Sequence, residues 1–264
     1  MTLSYVLTDS LTMLRRNVRR MRRELTILYI AGIPIFFLLL FVFVLGGTLG
    51  AGLGGAVGAS GSRADYVAYL VPGILLMTAA GSATGTAIAV ALDMTEGIIA
   101  RFRTMAIARS SVLAGHVIGN VLQTMFAIAI VVAVALLIGF RPTTGPAEWL
   151  AAAGLLTLIV FGITWLGVAL GMVAKGVGSA SNLPLPLLLL PFFGSGFVPT
   201  ASMPEPLRAF AENQPFTPMI EAVRGLLLGT PIGESVLLAV AWSTAFAVVG
   251  YLWAMRRYER APGR

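Results

Sequence analysis

Apolar residues run almost unbroken through six stretches, at about residues 25–46, 66–92, 112–140, 149–174, 182–198 and 235–255, and polar residues are confined to what lies between them. Roughly 20 consecutive apolar residues carry a helix across hydrocarbon. Five of the stretches meet that length and predict transmembrane helices. The fifth, LPLPLLLLPFFGSGF, is short and carries Pro184, Pro186 and Pro191. Each proline removes a backbone donor and clashes one turn back, which predicts a bent or broken helix whose freed carbonyls need partners within the protein.

Between and before these stretches the pattern changes period. Leu7, Leu11, Leu14, Val18, Met21 and Leu25 recur at helical spacing. Arginines fill the rest of that helix circumference, so residues 1–24 predict a basic amphipathic helix lying in the headgroup plane. Residues 93–111, DMTEGIIARFRTMAIARSS, interleave charges with Ile98, Ile99, Phe102, Met105 and Ile107. They are too polar to cross a bilayer and too apolar for a plain solvated loop. Residues 199–233 hold two short amphipathic pieces, one after Pro204 and one after Pro218. Glu221 and Arg224 stand three apart in the second and can pair on one face. Residues 46–61 are Gly-rich, and the G-x-G-x-x-G of Gly50, Gly52 and Gly55 carries no dinucleotide meaning outside a strand–helix unit. They read as a flexible external loop.

The composition agrees with a polytopic membrane protein: 58% of the 264 residues are hydrophobic and 11% charged, where soluble domains carry about a quarter charged. The net charge of +7 reflects arginines beside the apolar stretches and requires no nucleic-acid partner. Arg15, Arg16, Arg19, Arg20, Arg22, Arg23, Arg101, Arg103, Arg109, Lys175, Arg256, Arg257, Arg260 and Arg264 fall on one side, fourteen in all; Arg63, Arg141, Arg208 and Arg224 fall on the other. The positive-inside rule then places both termini in the cytoplasm, and two cytoplasmic ends require an even number of crossings. The fifth stretch therefore counts, for six in total. The first is read as an uncleaved helix, being longer than a signal-peptide core and lacking a small-residue cleavage site.

Candidate chemistry is sparse. The chain has no Cys and one His, so thiolate and His-cluster metal sites are set aside. No HExxH, GxSxG or paired intramembrane acids appear. Asp93 and Glu148 sit only at span edges, which disfavours a proton- or sodium-driven carrier. Lys175, the single lysine, is followed by Gly176, so no Walker A loop exists here, and any ATP-driven work needs another chain. His116, Asn120 and Gln123 share one face of the third span, either as a polar patch on a substrate path or as interhelical hydrogen bonds. Three GxxxG pairs, Gly81/Gly85, Gly115/Gly119 and Gly167/Gly171, predict close helix contacts. Phe36, Phe37, Met77, Phe192 and Phe193 complete a candidate path, being suited to large apolar ligands, although the same residue types serve equally for packing.

Three features together resemble the permease subunits of type-2 ABC exporters, in particular the daunorubicin- and doxorubicin-resistance type. They are the amphipathic N-terminal helix, the stretch EGIIARFRTMAIAR, and the stretch from Ser195 to Gly229. Glu96, Gly97, Ile99, Arg101, Phe102 and Arg109 match the family's cytoplasmic pattern. Ser195, Gly196, Pro199, Met203, Pro204, Asn213, Pro215, Glu221, Ala222 and Arg224 match its closing pattern. Two departures are Ala106, where the family has Pro, and Gln214, which separates Asn213 from Pro215.

The resemblance spans the whole chain. It implies a single all-α membrane domain of six helices in a bacterial inner membrane, with short extracytoplasmic helices near the fifth and sixth. It implies a dimer with a second permease, like or unlike, and two cytoplasmic ATPase subunits that bind ATP and Mg. On that reading residues 93–109 form the coupling segment. Glu96, Gly97, Ile98, Ile99, Arg101, Phe102, Arg103 and Met105 engage the ATPase, and Glu221 and Arg224 mark an external gate. The cargo is then a hydrophobic drug or lipid. The alternatives are a polysaccharide exporter permease and a membrane-embedded transferase.

Overall fold

The computed structural model describes residues 26–48, 62–95 and 109–260. The N-terminal stripe, the Gly-rich segment and residues 96–108 of the coupling segment lie outside them. The described residues are mainly helical, with no strand among them. In chain order the helices are α1 (Thr26–Leu40), α2 (Arg63–Thr95), α3 (Arg109–Leu137), α4 (Pro146–Val173), α5 (Val177–Asn182), α6 (Leu185–Leu189), α7 (Glu205–Asn213), α8 (Phe216–Leu228) and α9 (Ser235–Arg260). Helix α1 continues through a π-turn, Phe41–Leu45, and α6 through a 3-10 turn, Leu190–Phe193.

Five of these helical runs are long and apolar enough to cross a membrane: Ile30–Thr48, Arg63–Thr95, Leu113–Leu137, Pro146–Val173 and Ser235–Tyr258. The fifth apolar stretch is not the single span expected over 182–198. Its helical part is Val177–Phe193, shifted toward the N-terminus and broken at Pro184. The shift has a local cause. Ser179 Oγ accepts from the backbone N–H of Lys175 at 2.8 Å and of Gly176 at 3.3 Å, which satisfies the first donors of a helix the apolar pattern does not reveal. At the other end Gly194 turns the chain beside Gln214 and Thr217, and Gly196 lies on Gly73 of α2.

Helices α2 and α4 form the middle. In α2 and α4, 72% and 67% of the membrane-length window is buried within the protein, against 17% for α9. A helix apolar on every side is what such a central position needs. The helix start of α2 is fixed by a reciprocal cap: Asp65 N–H donates to Ser62 Oγ, and Ser62 N–H donates to Asp65 Oδ2, both at 3.2 Å.

Glycine decides how closely α4 approaches its neighbours. A Cβ on Gly167 would lie 2.7 Å from the Ala83 carbonyl oxygen, and one on Gly171 would lie 2.7 Å from that of Ala87. On the opposite side Gly162 presses on the Ser243 carbonyl, and Gly250 of α9 on Trp165. The GxxxG expectation therefore holds for Gly167/Gly171. It does not hold for Gly81/Gly85, whose Cβ positions meet only Leu188 Cδ1 at 3.9 Å and Asn120 Oδ1 at 4.0 Å. These two glycines leave open space instead of drawing a helix close.

One end of the bundle is capped by α7 and α8. Helix α8 carries buried Phe216, Met219, Ile220 and Val223 against α2, α4 and α9. It begins two residues before Pro218, which a first helical turn tolerates. Its last carbonyls are taken up from the α3–α4 connection: Thr143 Oγ1 donates to Leu228 O at 2.7 Å and Thr144 Oγ1 to Leu227 O at 3.2 Å. Gly229 then turns the chain at φ 69°.

Candidate functional site

Two features stand out from this scaffold: a cavity in the bundle and a polar hub beneath the cap. The cavity, of about 620 Å³, lies between α1, α2, α3 and the broken α5–α6 run. It follows α2 from Met77 to Leu92, toward the end where α2 leads into residues 96–108. Gly81 and Gly85 of α2 and Gly119 of α3 are in its wall, and the absence of their side chains makes the room. A volume of this size is in the usual range for small-molecule sites, roughly 300–1,000 Å³.

The cavity wall is apolar with a polar arc. His116, Asn120 and Gln123 enter it from one face of α3. His116 Nε2 lies 2.9 Å from Asp93 Oδ2, and Asp93 is buried at the end of α2. Asn120 Nδ2 donates to Ser82 O at 3.3 Å and to Thr164 Oγ1 at 3.1 Å, tying α3 to both α2 and α4. Both readings of this triplet therefore meet in one place. Gln123 Nε2 and Thr84 Oγ1 are buried and find no hydrogen-bond partner among the described residues.

Toward the cap the cavity gives way to a layer of rings. One turn beyond Ile33 stands Phe37, and one turn beyond Leu188 stands Phe192. Their centroids are 5.8 Å apart. Phe192 stacks on Phe197 at 4.5 Å, and Phe41 joins Phe37 at 6.3 Å and Phe197 at 5.1 Å. The candidate path residues thus divide into three groups. Met77, His116 and Asn120 line the cavity, and Phe37 and Phe192 stand in the ring layer beyond its lining. Phe36 and Phe193 face outward, 60% and 45% exposed.

The hub joins α2, α8 and the Gly194–Pro199 segment. Arg224 donates through Nη2 to Ser195 O at 2.7 Å and to Tyr69 O at 3.2 Å. Its guanidinium sits 4.0 Å over the Tyr69 ring, and Tyr69 Oη donates to the same Ser195 carbonyl at 2.8 Å. Pro72 leaves the Ala68 carbonyl, four residues back, without its helical donor. The arginine reaches the neighbouring carbonyl, that of Tyr69. Burial pulls the Arg224 guanidinium below its ordinary value, and nearby Tyr69 and Glu221 oppose that pull. Glu221 does not form the expected ion pair with Arg224. Its Oε2 accepts from Ser235 Oγ at 3.4 Å, at the start of α9. Each residue reaches a different neighbour, because Arg224 is already held by two carbonyls and a ring.

The eight coupling residues from Glu96 to Met105 lie outside the described residues. Sequence reasoning alone misses Tyr69, Gly73 and the role of Gln214. The proline inside the span does not point to Tyr69, because the carbonyl that Pro72 leaves without its helical donor is that of Ala68, four residues back, whereas Arg224 reaches Tyr69 O. Gln214 is buried. It donates to Thr217 Oγ1 at 3.1 Å and Leu190 O at 3.3 Å, and accepts from Phe216 N–H at 3.1 Å. The residue inserted between Asn213 and Pro215 thus caps α8 and holds the broken helix.

Residues 8–228 match the sequence pattern of the ABC-2 type transporter family. The chain belongs to the ABC-2 type transporters. Among relatives of this ABC-2 permease is the daunorubicin resistance ABC transporter permease protein DrrB1 of Streptomyces coeruleorubidus. It is 30% identical over 230 residues, which cover 86% of this chain and 77% of the relative. A probable doxorubicin resistance ABC transporter permease protein DrrC of Mycobacterium tuberculosis is 25% identical over 198 residues, 73% of this chain and 70% of the relative. These relatives are permease proteins, and that sets the membrane-embedded transferase aside.

Proposed function

We propose that this ABC-2 permease is the membrane subunit of an ATP-driven exporter of a hydrophobic or amphiphilic compound, a drug or a lipid. Family membership carries the reading, and the cavity supports it. The space lies on the side of the bundle where residues 96–108 connect α2 to α3, and rings close it toward the cap. On this reading the capped end is outside, the termini are cytoplasmic, and Val177–Phe193 makes the sixth crossing as a broken helix. Arg224 and Glu221 fasten the outer side, and the Phe37–Phe192 layer is the barrier the cargo must part. ATP and Mg act on separate ATPase subunits, and a second permease, identical or related, completes the pair.

The expected coupling helix over 93–109 is shortened at both ends, because Asp93–Thr95 close α2 and Arg109 opens α3. Coupling on this reading rests on residues 96–108 as a helix lying along the membrane and seated in a groove of the ATPase. Fully burying Phe102 contributes roughly 1.5–3 kcal/mol, and Met105 shares its face at helical spacing. Arg101, Arg103 and Glu96 form a charged rim that fixes register. Closure of the ATPase drives the permease only if the ATPase binds its two states unequally. Phe102→Ala combined with Met105→Ala is expected to leave membrane insertion normal and to abolish ATPase co-purification or transport-coupled hydrolysis. Full association together with full transport in the double variant removes these two residues from the docking role.

Sidedness has its own test. The chain contains no Cys, so Ser202→Cys provides a single reactive site. An impermeant maleimide is expected to label it in intact cells. Labelling confined to inverted vesicles reverses the assigned orientation.

A further inference from the structure

The only histidine of the chain, His116, takes part in two structures at once. Its ring lines the cavity, and its Nε2 lies 2.9 Å from Asp93 Oδ2. Asp93 stands two residues before the end of α2, and His116 about two turns into α3. The pair therefore bridges the two helices that carry residues 96–108 between them. The contacts Asp93–His116 and Ser82–Asn120 run in opposite chain directions, so the helices are antiparallel. Helical side chains lean toward the N-terminus of their own helix. Asp93 thus leans back along α2, His116 leans toward the start of α3, and the two meet. Their side chains are 4% and 10% exposed, which shields the bond from exchange with water.

The same helix ends are joined differently on their two sides. Outside the cavity lining, Val90 of α2 packs with Leu113 and Val117 of α3, in a cluster that includes Trp165 and Val168 of α4. On the cavity side Gly81, Gly85 and Gly119 have no side chain to bridge the space. There α3 is tied to α2 by Asn120, through Ser82 O at 3.3 Å, and nearer residues 96–108 by His116. Without the His116 tie, a push on residues 96–108 can spread the foot of α2 from α3 on that side. With it, both helices move as one body and the cavity wall moves with them.

We propose that His116 and Asp93 form the link that carries movement of residues 96–108 into the cavity wall, and that they are positioning residues for coupling. The inference rests on the exporter reading and gives a role to two residues outside the docking segment.

The test uses the full permease with its ATPase in lipid vesicles. Ser181 lines the cavity from α5. The chain has no Cys, so Ser181→Cys provides one reactive thiol there. N-ethylmaleimide reads its labelling rate in the nucleotide-free and vanadate-trapped states. With the pair intact, the two rates are expected to differ at least about fivefold. His116→Leu and Asp93→Leu are each expected to bring that ratio below about twofold while ATPase co-purification persists. His116→Gln is expected to keep most of the ratio, because its amide nitrogen places a donor near the position of Nε2. Asp93→Leu combined with His116→Leu removes both polar partners at once and leaves no orphaned charge. It stands in for a single variant that fails to fold, with the same loss expected. A ratio near that of the intact pair in any folded leucine variant overturns the link. A His116→Gln chain that behaves like His116→Leu assigns the effect to packing and overturns it too. Loss of ATPase co-purification in the folded leucine variants means that the pair shapes the docking segment itself, and overturns the transmitting role. Equal rates in both states with the pair intact count against the exporter reading and remove the ground of the inference with it.

Discussion

Gly73→Val is expected to cost this permease about 3 kcal/mol or more and most of its folded yield. A Cβ at Gly73 would stand 2.5 Å from the Gly196 carbonyl oxygen and 2.8 Å from its Cα. Both atoms are backbone, so no side chain can swing aside. Overpacking usually costs about 1–3 kcal/mol when neighbours can adjust. Here the chain around Ser195 must lift off α2 and give up the Tyr69 and Arg224 contacts. The controls lie about two and three turns along the same helix. Gly81→Ala and Gly85→Ala meet nothing closer than 3.9 Å, and alanine favours a helix interior over glycine by roughly 1 kcal/mol. They are expected to match or exceed the parent. Detergent-extracted protein compared by size-exclusion profile and heating half-life reads all three. A folded, parent-like Gly73→Val would mean that α2 and the Ser195 segment do not pack backbone to backbone.

Arg224→Met is expected to have the second largest effect on stability, about 3 kcal/mol. Hydrogen bonds to a charged group contribute about 1.5–3 kcal/mol each, and the face-on contact with Tyr69 adds about 1 kcal/mol. The loss is discounted because Ser195 O keeps the Tyr69 hydroxyl as a donor at 2.8 Å. That shared acceptor gives a sharper test. Tyr69→Phe alone removes one donor from Ser195 O, and Arg224→Met alone removes the other. The double variant leaves the carbonyl with neither, so the two losses should couple by about 1 kcal/mol. Strict additivity in heating half-lives would show that the three groups do not act as a unit. Arg224→Lys should rescue only part, because an ammonium lacks the planar fork that reaches two carbonyls and covers a ring.

The two glycine pairs explain what a sequence can and cannot disclose about such a fold. Gly81/Gly85 and Gly167/Gly171 present the same spacing. One pair opens a cavity and the other is pressed against the Ala83 and Ala87 carbonyls. The difference lies in which helix stands opposite, a tertiary fact with no local signature. The long spans were legible because an apolar run is sufficient for a membrane helix. The break in the fifth was legible from its prolines, whereas its register was not. Val177–Asn182 reads as polar, and its helix begins on a Ser179 hydroxyl. Residues 194–199 read as apolar, and their path through successive turns follows from the two glycines and Pro199. In the site, the shared face of His116, Asn120 and Gln123 was visible from spacing alone. Arg224 was legible as a motif residue, but its partners were not, because Tyr69 lies 155 positions away.

Helix α2 has 33 residues, about 50 Å at 1.5 Å per residue, well beyond the roughly 30 Å of a hydrocarbon core. On the exporter reading proposed above, α2 acts as a lever that moves together with α4, whose Gly167 and Gly171 press on its Ala83 and Ala87 carbonyls. With Pro72, beside the Arg224 clasp, taken as the pivot, the long arm runs about 35 Å to Thr95. A tilt of roughly 5° at the pivot sweeps the far tip through roughly 3 Å. The cavity hangs along that arm from Met77 to Leu92, and its Leu92 side travels farther than its Met77 side. On the same reading, a small push at the tip widens or narrows the chamber in graded fashion, most beside Leu92 and least beside the ring layer.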